Sequence, residues 1–413
     1  MSTSDLEALA GRVAAAARIV ATTEGGVRAD ALRAGARRIR AERRAILTAN
    51  TADLDAAQTL SATARDRLRL DERRVEAMAQ GLDDVADLPD PLGTVASGGI
   101  RPNGLAVTRV HVPLGVVGVI YENRPNVTSD AAALCIRAGN AAFLRGSSSS
   151  LRSNQAIVAC LRAGLAEVGM PEDGVALLDD VSHERAIEFM QLRGVIDVLI
   201  PRGGPSLISS MLEHATVPYV LDGDGNCHVY VDRAADLDMA ESIIINAKTQ
   251  RPGVCNAMES LVLDRPIAAE VLARLATSMP EVRLLGDAEA CGLATSIEAA
   301  SEEDFGSEFL DLIATVAIVD GVDEAIEHID TYGSGHTEAI VTSDVSTAER
   351  FLARVDAAAV VLNASTRFVD GAELGLGAEV GISTQKLHAR GPMGLEALTS
   401  VRWVIRGEGQ IRT

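Results

Sequence analysis

The chain has 413 residues, 47% of them hydrophobic, 23% charged and only 3% aromatic, and its formal net charge is −20. A surface this acidic argues against nucleic-acid and anionic-membrane partners, because neither is bound without a basic patch. Five scattered cysteines (Cys135, Cys160, Cys227, Cys255, Cys291), no C-x-x-C and seven histidines suggest neither a disulfide framework nor a metal site.

The length suits two domains. No apolar run reaches membrane-spanning length, and the N-terminal stretch lacks the basic and apolar segments of a signal peptide. A reducing, cytoplasmic setting is the expectation.

Residues 1–90 read as three helices. Leu6, Leu9, Val13, Ala17 and Val20 form one apolar face. A second helix carries Leu32, Ala36, Ile39, Ile46 and Leu47, and a third carries Val75, Met78, Leu82 and Val85 before Pro89 and Pro91 stop it. From about residue 95 the pattern changes. Residues 105–112 alternate like a half-exposed strand, and 116–120 and 141–145 are continuous apolar strands. Further strands are expected at 175–178, 195–200 and 217–221, with helices between. Such alternation means a parallel sheet with right-handed crossovers, so the fold class is α/β.

A second alternation starts near Cys227, with strands at 228–231, 258–263, 312–319 and 338–342, intervening helices and a looser acidic stretch at 286–308. The tail from 373 is Gly-rich and turns strand-like at 400–405. With no evident partner in either domain, that strand is expected to pack on another subunit.

Ligands of parallel sheets bind beyond the carboxyl ends of the strands. Three such ends stand out: Tyr121-Glu122-Asn123-Arg124, Arg145-Gly146-Ser147, and Pro201-Arg202-Gly203-Gly204-Pro205. The last opens a helix whose free N–H groups suit a phosphate. The fingerprint G-x-G-x-x-G is absent.

Cys255 lies in the connection Thr249-Gln250-Arg251-Pro252-Gly253-Val254-Cys255-Asn256-Ala257, between an amphipathic helix and a buried strand. Free backbone amides and a nearby cation favour a thiolate there. A small buried apolar residue is the competing reading.

These stretches carry a resemblance. VPLGVVGVIYENRP at 112–125, AGN at 138–140, RGS at 145–147, LIPRGG at 199–204, QRPGVCN at 250–256, YGSGHTEA at 332–339 and STQKLHARGP at 383–392 resemble the aldehyde dehydrogenase superfamily. The last two, with the Cys255 peptide, resemble its acyl-phosphate-reducing branch. The resemblance covers nearly the whole chain. It implies an aldehyde-dehydrogenase-like fold: a Rossmann-type NADP-binding domain of residues 1–99 and 113–226, and an α/β catalytic domain of residues 227–372. A small β oligomerisation element is implied from residues 100–112 and 373–413, which would account for the tail strand in a homo-oligomer.

The resemblance also implies roles. Cys255 matches the nucleophile, and Asn123 the residue whose amide, with the Cys255 N–H, holds an oxyanion. Arg145 stands where many relatives carry a Lys, and with Ser147 it favours NADP(H) over NAD. Gly203 and Gly204 match the pyrophosphate turn, and Glu308 the residue on the nicotinamide ribose. Arg124, Lys386, His388 and Arg390 are candidates for the substrate's anionic groups. The activity implied is NADPH-dependent reduction of L-glutamyl 5-phosphate to glutamate 5-semialdehyde and phosphate, in proline biosynthesis. A transient complex with glutamate 5-kinase would suit so labile a substrate.

One departure matters. Hydrolytic relatives place a water-activating Glu where this chain reads Val220-Leu221-Asp222-Gly223-Asp224-Gly225. Its absence suits a reductase, with Asp222 or Asp224 as partial substitutes. The rivals are an aldehyde dehydrogenase acting on another semialdehyde or on coenzyme A, and a non-catalytic dinucleotide-binding scaffold.

Overall fold

A computed structural model describes residues 3–221 and 223–412. The chain divides into two compact units, one of residues 1–221, 376–381 and 393–413, the other of residues 222–375 and 382–392.

The first unit begins with five helices, Thr3–Val20, Gly25–Ala41, Arg43–Ala56, Ala62–Leu68 and Glu72–Asp87. The expected second helix is therefore two. The chain turns at Glu42, which closes one helix and opens the next. Ile39 and Ile46 both remain buried, and buried Asp53 on the second piece accepts from the Ser153 N–H (2.8 Å) and Oγ (2.7 Å). Helices Gly25–Ala41 and Leu151–Glu167 cross at two glycines: a Cβ on Gly164 would lie 2.5 Å from the Gly35 nitrogen.

The sheet of this unit is parallel, in the order Val175–Leu177, Ala141–Arg145, Val116–Tyr121, Val198–Arg202. Every residue of the Val116–Tyr121 strand is buried, which explains its unbroken apolar run. The expected strand at 217–221 does not form. Pro218 has no N–H to give a ladder, and only Tyr219 makes an isolated bridge to Leu199.

The tail strand has a partner within its own chain. Thr399–Arg406 pairs antiparallel with Ala106–Pro113, which pairs on its other side with Val95–Ile100. Long separation in sequence hid this pairing. Buried Asn140 ties the sheet to the unit, its Oδ1 accepting from the Gly115 N–H (2.9 Å) and its Nδ2 donating to the Leu398 carbonyl (2.8 Å).

The second unit holds a seven-stranded sheet, parallel throughout, in the order Glu298–Ala299, Arg283–Gly286, Ile313–Val319, Met258–Asp264, Cys227–Val231, Thr337–Val341, Ala359–Leu362. The acidic stretch at 286–308 is ordered into helix Ala288–Leu293, strand Glu298–Ala299 and turn helix Glu302–Phe305, the last held by a Ser301/Asp304 capping box. The central strands Cys227–Val231 and Met258–Asp264 are wholly buried, and each carries a buried ionisable side chain that is paired. Lys248 meets Glu259 at 2.7 Å and His228 meets Glu338 at 2.8 Å.

Candidate active site

Helix Leu237–Thr249 ends at Gln250, and the chain then runs through Arg251-Pro252-Gly253 into a tight turn in which the Ala257 N–H donates to the Val254 carbonyl (3.0 Å). Pro252 and Gly253 cannot continue the helix. Cys255 is half-buried on this turn, while Asn256 and every residue of the following strand are buried.

The turn is gripped from behind. The Cys227 thiol lies 3.1 Å from the Cys255 carbonyl oxygen and donates to it. Burial pushes that thiol well above its ordinary value, reinforced by Glu338 and Cys255, so it stays protonated and able to donate. Gly225 packs so closely that a Cβ there would fall 1.8 Å from the same carbonyl oxygen. The Gly225 N–H donates to Glu308 Oε1 (2.9 Å). The second unit thus brings Cys255 and Glu308, 53 residues apart in the sequence, into contact with the same glycine. Glu259 adds a further link: its Oε2 meets Lys248, and its Oε1 accepts from the N–H of Leu310 (3.2 Å), a residue at φ 54.

Asn256 is pinned on a third side. Its Nδ2 donates to the Val369 carbonyl (2.9 Å), and Thr366 Oγ1 donates to the Asn256 carbonyl (2.7 Å). This fastens the short turn Thr366–Phe368 beside the cysteine. No sequence signal marked that turn as part of the site.

Asp224 is exposed on this unit; Asp222 lies outside the described residues. Lys386 and Arg390 both pair with Asp356, Arg390 at 2.7 Å. His388 between them has φ 68, a left-handed conformation on a surface loop.

In the first unit, the expected strand ends do converge. Asn123 follows strand Val116–Tyr121 at φ 44, a conformation that Asn tolerates better than most residues. Its N–H donates to Ser147 Oγ (3.3 Å), and its Oδ1 accepts from the Ser149 hydroxyl and, at 3.4 Å, from that of Ser147. With the amide oxygen so held, the Nδ2 hydrogens are the part of the amide left to donate elsewhere. The serine run is therefore a clamp on Asn123, a role not foreseen. Arg124 is the N-terminal cap of helix Pro125–Arg137.

Arg145 ends its strand with Nη2 donating to the carbonyls of Val181 (2.8 Å) and Ser182 (3.1 Å). Its buried Nε has no partner among the described residues. Burial lowers the guanidinium from its ordinary value, with Asp180 and Glu122 opposing. Gly204 caps helix Pro205–His214, and its N–H donates to Glu122 Oε2 (3.1 Å). A Cβ on Gly203 would lie 2.7 Å from Leu207 and 2.9 Å from Glu122. An acidic side chain already occupies this helix start, as an anion would.

Residues 1–311 match the Aldehyde dehydrogenase family. The gamma-glutamyl phosphate reductase of Clostridium botulinum is 53% identical over 372 residues, covering 89% of this chain and 90% of its own. That of Heliobacterium modesticaldum is 52% identical over 390 residues, 94% of each. The crystal structure of the Thermotoga maritima gamma-glutamyl phosphate reductase superposes with a TM-score of 0.96 at 41% identity, covering 99% of this chain and all of its own. An acetylating aldehyde dehydrogenase of Geobacillus thermoglucosidasius shares the fold at 18% identity and a TM-score of 0.70.

Proposed function

Because the chain belongs to the aldehyde dehydrogenase family and is an oxidoreductase, we propose that it reduces L-glutamyl 5-phosphate to L-glutamate 5-semialdehyde and phosphate, a step of proline biosynthesis. The observation that carries this reading is the Cys255 turn. A half-buried thiol sits on a peptide whose carbonyl is fixed by Cys227 and Gly225, and the N–H of that glycine holds Glu308. Relatives at about half identity named for this reaction support the choice of substrate.

In the proposed mechanism the Cys255 thiolate attacks the acyl carbon of the acyl phosphate. A C–S bond forms and the C–O bond to phosphate breaks, the electron pair leaving on the phosphate oxygen. The Cys255 N–H and the Asn123 Nδ2 hold the oxyanion that forms on the carbonyl oxygen; one such donor is worth about 3 kcal/mol. The serine clamp on the Asn123 oxygen fixes which end of the amide is the acceptor and leaves the Nδ2 end to donate. A bound reduced nicotinamide cofactor would supply a hydride for the thioester carbon; the C–S bond then breaks with its electron pair on sulfur, the carbonyl re-forms as the aldehyde, and Cys255 is regenerated.

The cofactor proposed is NADP(H). The unpartnered, buried Arg145 Nε suits an added anionic oxygen, and with Ser147 it would hold the 2′-phosphate. Gly203 and Gly204 would hold the pyrophosphate in place of the Glu122 carboxylate, and Glu308 the nicotinamide ribose. The absence of Glu from residues 220–225 protects the thioester from water. Arg124, Lys386, His388 and Arg390 remain proposed contacts for the substrate.

The three-stranded antiparallel sheet is the proposed oligomerisation element of a homo-oligomer. Its two outer strands carry exposed apolar side chains, Val95 and Ile100 on one and Trp403 and Ile405 on the other, and large apolar groups left at the surface suit an interaction face.

The reverse reaction tests the reading. Glutamate 5-semialdehyde and NADP should yield NADPH only with phosphate present, and not in Cys255→Ala. Phosphate-independent NADPH formation would instead mean a hydrolytic dehydrogenase.

A further inference from the structure

The turn Thr366–Phe368 carries a cation that the mechanism above does not use. Arg367 is half-buried, and its Nε donates to Gln250 Oε1 at 2.7 Å. Gln250 caps the helix that delivers Cys255. The neighbouring Thr366 donates to the Asn256 carbonyl, so Arg367 is fixed to the cysteine turn at two points. No carboxylate among the described residues lies within ion-pair distance of it, whereas Lys386 and Arg390 share Asp356.

The electrostatics of the guanidinium agree with this placement on the cysteine turn. Burial lowers the Arg367 guanidinium from its ordinary value, and Arg251 adds to this, while Asp370 and Cys255 oppose it. A half-buried cation next to a second cation is unfavourable until an anion joins them. With Nε committed to Gln250, neither Nη group has a hydrogen-bond partner among the described residues, and together they form the two-pronged donor that matches two oxygens of one anion.

We infer that Arg367 binds the phosphoryl group of the acyl phosphate, and the phosphate that departs from it. The inference rests on the reductase reading above. The phosphoryl oxygen is bonded to the very carbon that Cys255 attacks, so this anion lies nearest the thiol, while the α-carboxylate stands at the far end of the carbon chain. When the C–O bond breaks, the electron pair passes to the phosphate oxygen, and the guanidinium neutralises the added charge.

The test uses the reverse reaction, in which phosphate and semialdehyde are varied independently. In Arg367→Ala the KM for phosphate should rise by roughly tenfold or more, with the KM for semialdehyde changed by less than about twofold. Arg367→Lys, which keeps the charge but not the fork, should lie between. Gln250→Ala, which frees Nε, should shift the phosphate KM in the same direction by a smaller factor, and it keeps the inference testable should Arg367→Ala not fold. A raised semialdehyde KM with phosphate unaffected would make Arg367 the carboxylate holder and overturn the inference, as would no change in either constant. Failure of the reductase reading is distinct: the unmodified protein would then show no phosphate dependence.

Discussion

Lys248 Nζ and Glu259 Oε2 meet at 2.7 Å with both side chains wholly excluded from solvent, one on each side of the turn that presents Cys255. Burial lowers the lysine and raises the glutamate to about 7, each opposed by the attraction of the other. The contact spans the turn, so it sets the distance between the helix that ends at Thr249 and the strand that begins at Met258. Removing one partner leaves the other buried and alone, at a cost of about 3–5 kcal/mol. Glu259→Leu and Lys248→Met should each lose that much in urea unfolding, and the double variant should recover most of it.

Asn123 is predicted to matter far more for rate than for folding. Asn123→Ala should lower kcat/KM by roughly 10²–10³, the usual loss for one oxyanion donor, while the left-handed φ of this residue costs alanine about 1–2 kcal/mol in urea unfolding. Ser149→Ala removes the hydroxyl that holds the amide oxygen. It should cost a smaller factor in kcat and leave KM alone. Equal effects on KM and kcat would point to a binding role for Asn123 instead.

Gly225 leaves no room for a side chain. A methyl group there would overlap the Cys255 carbonyl, so Gly225→Ala must displace the turn. Selective labelling of Cys255 by a thiol reagent at neutral pH should slow at least about tenfold if presentation of the thiol depends on this contact. An unchanged labelling rate would show that the turn adjusts freely.

The wholly buried His336 imidazole is pushed down to about 4 by burial, against an ordinary 6.5. Half-buried His328 is pushed down to about 3 by burial and by His228. Each folded value lies below the unfolded one, so the folded protein binds these protons less tightly. The stability they contribute is present in full above about pH 6.5 and is lost as the pH falls toward 4 and 3. Urea midpoints should therefore decline between pH 6.5 and 4, and the decline should be shallower in His336→Gln.

Trp403 is 63% exposed, with the Arg109 guanidinium over its ring at 5.4 Å. If the antiparallel sheet joins copies of the chain, Trp403→Glu should halve or quarter the mass measured by light scattering, leaving the fold intact. An unchanged mass would remove the sheet from the interface.

The sequence made the parallel α/β alternation, the apolar strands and the thiol turn legible, because continuous burial and helix breakers write themselves into neighbouring residues. The expectations that required distant partners fared differently. Thr399–Arg406 seemed orphaned because its partner lies about 290 residues away. Residues 217–221 had a strand's composition, yet Pro218 denied them a ladder. Within the site, Cys255, Asn123 and Glu308 stand out as types, whereas Gly225, Cys227 and Thr366 act through backbone contacts that no local pattern records. Ser147 stood out beside Arg145, as a contact for a cofactor phosphate; that the hydroxyls of this run also hold Asn123 and one another depends on a strand end 24 residues away.

The way the tail strand closes the first unit bears on how the chain is made. Asn140 is fully buried, and its amide donates to the Leu398 carbonyl, 258 residues further on. At a synthesis rate of about 5–20 residues per second, the amide waits roughly 10–50 s for that acceptor. Throughout this interval Ala106–Pro113 presents an open edge on the side that Thr399–Arg406 will cover, which is the kind of surface that chaperones shield and neighbouring nascent chains capture. Residues 222–375, by contrast, emerge as one uninterrupted stretch. A chain whose emerged part ends between residues 392 and 399 holds all of the second unit but not the tail strand, and it should resist protease over 222–375 while remaining cleavable in the 95–113 region.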